Sequence, residues 1–215
     1  MKMKYFYLVL SLLIGLTSCR YYGVRGSGDV TEEKRDVEEF SSLSVGGIFE
    51  VEVTCGKEPS LTIEAEDNLI PLIKTEVEGD RLIISTRKHI SPRKGLKITL
   101  STYELNDLDI SGACKVKVEG IKSNRFSVDA SGASNLYLQG ETKKLSLDIS
   151  GASKLNAVDL ISETVLADLS GASNADVYAS QDLRADLSGA SHMDYYGDPK
   201  SIKPDCSGAS SMERK

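Results

Sequence analysis

Six aspartates occupy one position of a recurring motif. Asp109, Asp129, Asp148, Asp168, Asp186 and Asp205 each lie two residues before a Ser-Gly-Ala tripeptide, found at 111–113, 131–133, 150–152, 170–172, 188–190 and 207–209. A carboxylate at such a spacing has two uses. It can accept hydrogen bonds from the backbone amides or the Ser hydroxyl of its own corner. It can instead hold a divalent cation between repeats, with Ser111, Ser131, Ser150 and their equivalents adding oxygens, because calcium takes oxygen ligands. The nine-residue G-G-x-G-x-D calcium repeat is absent. Corner hydrogen bonding is therefore the expected role, and calcium is the one cofactor the sequence leaves open. Carboxylates stacked about 5 Å apart repel by roughly 1 kcal/mol in water-like surroundings, so such a ladder needs an offset.

Catalysis has less support. Some β-helical enzymes cleave acidic polysaccharides with Asp, Arg and Lys on one outer face; the basic candidates here are Lys115, Lys154 and Arg184, which make no obvious cluster. A Ser with His192 and Asp194 has the residue types of a hydrolytic triad. Ser is so frequent, with 28 copies, that this combination is expected by coincidence, and His192 reads as an exposed corner residue. Two His, four Cys and no C-x-x-C pair exclude a Cys/His zinc module. A net charge of −6 argues against nucleic acid. Nine Tyr, four Phe and no Trp supply little for a stacking platform. The sequence predicts a protein that is not an enzyme.

The elements that position these residues follow from the spacing. The tripeptides begin at intervals of 20, 19, 20, 18 and 19 residues. Before each Ser, apolar residues recur at every second position, as in Leu145, Leu147 and Ile149; after it the alternation resumes, as in Leu136 and Leu138. Period two is a strand with one buried face. Each repeat therefore reads as strand, corner, strand and a longer polar loop. Gly112, Gly132, Gly151, Gly171, Gly189 and Gly208 re-aim the chain at the corners, and the Ala after each reads as a small inward ladder. A propeller blade needs about 40 residues, and a helical repeat needs a 3.6 period. A parallel β-helix, an all-β solenoid of about 19 residues per rung stacked about 4.8 Å apart, fits.

The ends differ from the middle. Lys2 and Lys4 precede an apolar run from Tyr5 to Leu16, which is too short for a membrane span and reads as a secretory signal over 1–18. Leu16-Thr17-Ser18-Cys19 resembles the lipobox of bacterial lipoproteins. That resemblance implies cleavage before Cys19, acylation of its thiol and amine, and anchoring in a membrane; Arg20 favours the outer membrane. Cleavage removes two lysines and leaves a charge of −8. Residues 19–38 read as a tether, with Tyr21-Tyr22 as incidental exposed residues rather than a headgroup contact. The segment 43–53 aligns with 108–118 as a degenerate earlier copy, and the 65 residues between the two corners leave room for about three further periods. Residues 39–107 therefore form a less regular N-terminal β-helical segment, and 108–215 the repeat β-helix.

With Cys19 acylated, three cysteines remain. Cys114 and Cys206 lie about five rungs apart, roughly 24 Å, so they do not pair; Cys206 reads as a small core residue. Pro199, Pro204 and the terminal Glu213-Arg214-Lys215 discourage end-to-end stacking and predict a monomer.

The Asp-x-Ser-Gly-Ala corners and the stretch Gly46-Gly47-x-Phe49-x-Val51 resemble the bacterial family named for an auto-transporter adhesin "head GIN" domain, over roughly 39–212. That resemblance implies a right-handed parallel β-helix and carries over no catalytic residue. Together these readings predict a non-catalytic, lipid-anchored protein of the bacterial cell envelope that presents a β-helical surface for adhesion to a protein or glycan. The alternative is a structural envelope module that stacks through its ends; a polysaccharide-acting enzyme ranks third.

Overall fold

The computed structural model describes residues 23–215. The signal peptide, Cys19, Arg20 and Tyr21-Tyr22 lie outside the described residues. The N-terminal half holds β1 (Val24–Arg25), β2 (Val30–Arg35), β3 (Ser42–Gly47), β4 (Glu50–Cys55), β5 (Ser60–Glu66), a 3-10 turn (Ile70–Leu72), β6 (Ile73–Glu78), β7 (Arg81–Thr86), β8 (Ile90–Ser91) and β9 (Lys97–Thr102). The repeats form β10 (Asp107–Gly112), β11 (Lys115–Gly132), β12 (Asn135–Ile149), β13 (Lys154–Leu169), β14 (Asn174–Leu187), β15 (His192–Tyr196), β16 (Ser201–Cys206) and β17 (Ser211–Arg214).

The chain is an all-β solenoid of about 5 turns. Consecutive repeats stack as parallel strands, one repeat apart: Leu108 beside Val128, Leu147 beside Ala167, Leu136 beside Leu155. The inward residues of alternating strands fill one continuous core, with Leu108, Ile110, Leu145, Ile149, Leu155 and Leu169 fully buried. Stacking a turn buries apolar faces that a single turn would leave wet, at roughly 25 cal/mol per Å².

The expected polar loops are not loops. β11 to β14 run 14 to 18 residues without a break. They turn at register shifts, between Val118 and Ile121 and between Tyr137 and Gly140. Ile121, Thr142, Ser162 and Ala179 point inward there, and the stacked neighbours pair the backbone that a loop would leave unpaired.

The corner is also turned the other way. The Ala residues expected inside are exposed, and the residue after each of the first five is buried: Cys114, Ser134, Ser153, Ser173 and Ser191. The glycine is the cause. Gly132 has φ +94°, a conformation that L side chains rarely adopt. It shifts the in–out alternation by one, so three residues in succession face out before the serine returns inward. A Cβ on Gly132 would also meet Gly112 O at 2.3 Å, so the stack needs glycine twice over.

The alignment of 43–53 with 108–118 is a physical contact. β3 pairs in parallel with β10, Leu43 beside Leu108 and Val45 beside Ile110; β4 pairs with β11, Val51 beside Val116. The intervening residues do not make three further rungs. They make one, from β7 under β3 and β9 under β4. The rest reverses direction: β6 is antiparallel to β7, and β5 to both β9 and β2. Phe40, Leu69, Ile70 and Ile73 are buried beneath this end. Arg35 ties it together, donating to Ile73 O at 2.8 Å, to Ile70 O at 3.1 Å and to Thr75 Oγ1 at 3.0 Å.

The tether reading is corrected from Gly23 onward. β1 pairs with β8 and β2 with β5. Glu66, fully buried, accepts from the amides of Gly28 and Arg93 at 2.8 Å each, so two backbone donors fix this segment where a polar, Gly-bearing sequence suggested free chain. Cys206 is corrected too: it stands at an inward position beside Leu187 but is exposed, because no described residue stacks on the last turn.

Candidate functional site

The strand before each corner bears two outward columns. One is the aspartate ladder, in register from Asp109 through Asp129, Asp148, Asp168 and Asp186 to Asp205. The other lies two residues earlier and runs Asp107, Ser127, Ser146, Leu166, Arg184, Lys203. At the base both are satisfied. The Ser44 hydroxyl donates to Asp109 at 3.0 Å, and Ser42 and Arg81 each reach Asp107 at 2.9 Å.

Above that base the expected corner hydrogen bonds are missing. Among the described residues, nothing donates to the carboxylates of Asp129, Asp148, Asp168, Asp186 or Asp205. The corner amides are already engaged: Ser150 N donates to Ala130 O at 2.8 Å and Ala152 N to Gly132 O at 2.7 Å, each in the turn below. Burial first, then the charges of Asp148, Asp109 and Asp107, hold the Asp129 carboxyl above the usual carboxylate range. A shallow depression of about 400 Å³ lies over the ladder, lined by Ser127, Ser146, Asp148, Leu166, Asp168 and Arg184 among others. Among the described residues, no group of three or more His, Cys, Asp or Glu is placed to hold a metal ion. The ladder is a row of carboxylates, where calcium takes six to eight oxygens around it.

The strand after each corner bears the second pair of columns. Lys115, Asn135, Lys154, Asn174, His192 and Ser211 form one; Lys117, Tyr137, Asn156, Asp176, Asp194 and Glu213 form the other. Lys115 and Lys154 thus share a column, with Asn135 between them, while Arg184 lies on the ladder's strand. Lys115 is held by Glu50 at 2.7 Å. Lys117 lies 5.8 Å from the centre of the Tyr137 ring, whose hydroxyl donates to Asp159 at 2.6 Å.

The structure does join His192, Asp194 and a serine. His192 Nε2 lies 2.9 Å from Asp194 Oδ1, and its Nδ1 lies 2.8 Å from Ser211 Oγ. Stacking explains the contact: His192 and Ser211 are register partners, and His192 and Asp194 are two apart on one face. Lys215 Nζ also reaches Asp194, at 3.4 Å. The amide of Ser211 donates to Ser191 O, so that amide is not available as an oxyanion donor.

Spacing alone did not reveal a third ladder, the buried serines. Ser173 Oγ donates to Ser170 O at 2.7 Å and Ser191 Oγ to Ser188 O at 2.9 Å; Ser134 N and Cys114 N donate to the serine hydroxyl one turn on, at 3.3 and 3.2 Å. The signal was present in the fourth letter of the repeat, Ser in five copies and Cys in one: the small side chain that fits inside is also the one that can bond a carbonyl there. Cys55 and Cys114 are buried free thiols, and burial pushes Cys55 up to about 11.

The fold is a solenoid that carries its polar residues in outward columns over one continuous core. Residues 39–199 match the family described as "Putative auto-transporter adhesin, head GIN domain", and the chain belongs to it. A crystal structure described as "a putative adhesin" from Bacteroides fragilis shares the fold with TM-score 0.70 at 20% identity, over 90% of this chain and 100% of the other. One from Parabacteroides merdae has TM-score 0.53 at 14% identity, over 90% and 99%. A Parabacteroides distasonis structure described as "Putative lipid binding protein" has TM-score 0.50 at 20% identity, over 90% and 100%. No curated protein matches the sequence.

Proposed function

We propose that this is a non-catalytic, lipid-anchored protein of the bacterial cell envelope, exported by residues 1–18, acylated at Cys19 and held on the outer membrane, with the solenoid as its adhesive surface. The family supports an adhesion-type role. The observation that carries the choice of face is the ladder: five carboxylates in one line to which no described residue donates. A fold gains nothing from keeping like charges in register and unneutralised. A ligand that brings cations or hydroxyl donors, such as a basic protein segment or a glycan, offsets that repulsion. The protein acts as a monomer. Ser207 donates its amide down to Leu187 O, so the alternation along β16 turns the backbone of Pro204 to the open edge, where it offers no N–H to a second copy.

The test is the triple variant Asp129→Asn, Asp148→Asn, Asp168→Asn of the acylated protein on beads. Its retention on a glycan array and on immobilised basic peptides should fall at least tenfold, a change of about 1.4 kcal/mol, while its melting temperature rises. Unchanged retention with a lower melting temperature makes the ladder a structural feature and moves the adhesive face elsewhere.

A further inference from the structure

The route of the N-terminal chain fixes which side of the molecule faces the membrane. Gly23 lies against the backbone of His89 and Ile90. From there Val24 N donates to His89 O at 2.7 Å and Gly26 N to Ser91 O at 3.1 Å. Gly26 packs so closely on the buried Glu66 carboxylate that a Cβ would overlap it at 2.0 Å. Asn68 closes the segment from the side: its amide donates to Arg25 O at 2.8 Å, and its Oδ1 accepts from Ser27 N at 2.9 Å. Only Arg20, Tyr21 and Tyr22 separate Cys19 from this latched segment. An extended chain covers about 14 Å over the four steps from Cys19 to Gly23. A 20-residue free tether would reach many times farther than these four steps, which keep Cys19 near β1 and the 86–95 loop.

The surface at that point differs from the rest of this acidic protein. The segment 86–95 carries Arg87, Lys88, Arg93 and Lys94, all exposed, and no Asp or Glu. Arg25, also exposed, sits on β1 beside it. The negative charges beside it are Asp29, Asp67, which already accepts from Ser27 and Asn68, and the buried Glu66, which accepts from the amides of Gly28 and Arg93. Next to the basic loop lies an apolar groove of about 520 Å³, lined by Ile48, Thr86, His89, Ile90, Ala113 and Ala133 among others, and Ile48 is 42% exposed. Cations beside apolar side chains, at the place where a lipid-bearing residue must emerge, match the interface of an anionic bilayer: the cations meet the headgroup phosphates and the apolar residues meet the acyl boundary.

We infer that the face formed by β1, the 86–95 loop and Ile48 docks on an anionic lipid surface, so that the anchor holds the solenoid in one orientation with the aspartate ladder on a different face. This rests on the acylation of Cys19 proposed above. Each Lys or Arg near such a surface contributes about a fivefold preference for it, and reversing three removes the attraction.

The protein contains no Trp, so one introduced Trp is a clean reporter. The full acylated chain carrying Ile48→Trp, and separately Ile161→Trp on another exposed site, would be reconstituted in brominated-lipid vesicles with phosphatidylglycerol or with phosphatidylcholine alone. Strong quenching of Ile48→Trp, weak quenching of Ile161→Trp, and loss of the difference with Arg87→Glu, Lys88→Glu, Lys94→Glu or without anionic lipid support the inference. Equal quenching at both sites, or quenching indifferent to charge, overturns it while vesicle flotation still reports an intact anchor. An unmodified Cys19 by mass, with no flotation, overturns the anchor and the docking together.

Discussion

The two halves of this molecule build the same turn by different routes. Above the turn that begins at Asp107, each turn stacks on the one about 19 residues before it, with partners such as Val128 and Leu147 in order along the chain. In the first half the order is broken. β10 stacks on β3 across 65 residues, β7 and β9 lie beneath β3 and β4 although they come later in sequence, and β6, β5 and β2 reverse direction to close the stack. Parallel pairing requires register and an apolar face, and neither depends on sequence distance. The contrast also appears at the ends. The first end is sealed by Phe40, Leu69 and Ile70, with Arg35 bonded to Ile70 O; at the other, Ile202 and Cys206 stand exposed at positions that the four turns below bury. A repeat can extend a coil, but only an irregular segment terminates one without leaving an open edge.

The comparison can be broken hardest at a corner. Gly151→Val places a β-branched side chain at φ +79° and a Cβ 2.3 Å from Gly132 O, and should cost about 5 kcal/mol or more in urea unfolding. Gly56→Ala has a similar φ of +82° but open space around it, and should cost about 1 kcal/mol. Next come the two ends: Phe40→Ala should lose about 4 kcal/mol, while Ile202→Ala stays within about 0.5 kcal/mol. Equal losses would mean that the last turn is covered in solution.

Within the repeats, Ser173→Ala removes the donor to Ser170 O and should cost about 1–2 kcal/mol. The smallest effect is electrostatic. Asp129 has a folded-state pKa raised above 3.8, so the native state holds its proton more tightly than the unfolded chain. Its contribution favours folding at low pH and is lost as pH rises from the unfolded value through the raised one. Asp129→Asn should flatten that slope, and added salt should stabilise the parent more than the variant. An increase in the slope on substitution would mean that another group titrates there.

Much of the fold was legible because a period-two pattern and a fixed interval are properties of sequence. They identified the strands, the stacking direction, the outward aspartates and the pairing of 43–53 with 108–118. The candidate site was legible only in part. The sequence aligned the ladder but implied corner hydrogen bonds, since nothing local shows that the amide of Ala152 is used by the turn below. The triad-like contact of His192 with Ser211 arises between turns, and the basic loop meets the 23–28 segment through the β1–β8 pair and through Arg93 on Ser27 O.

What the amino-acid order determined by itself is therefore the repeating turn: its length, its buried alternation and the glycine at its corner, all set by interactions of a residue with its chain neighbours and an identical turn above. The tertiary structure decided what lies inside that corner, how the first end is closed and where the segment from Gly23 joins the body. Those outcomes depend on which distant backbone groups are already paired and which space is already filled, and a residue's type does not carry that information.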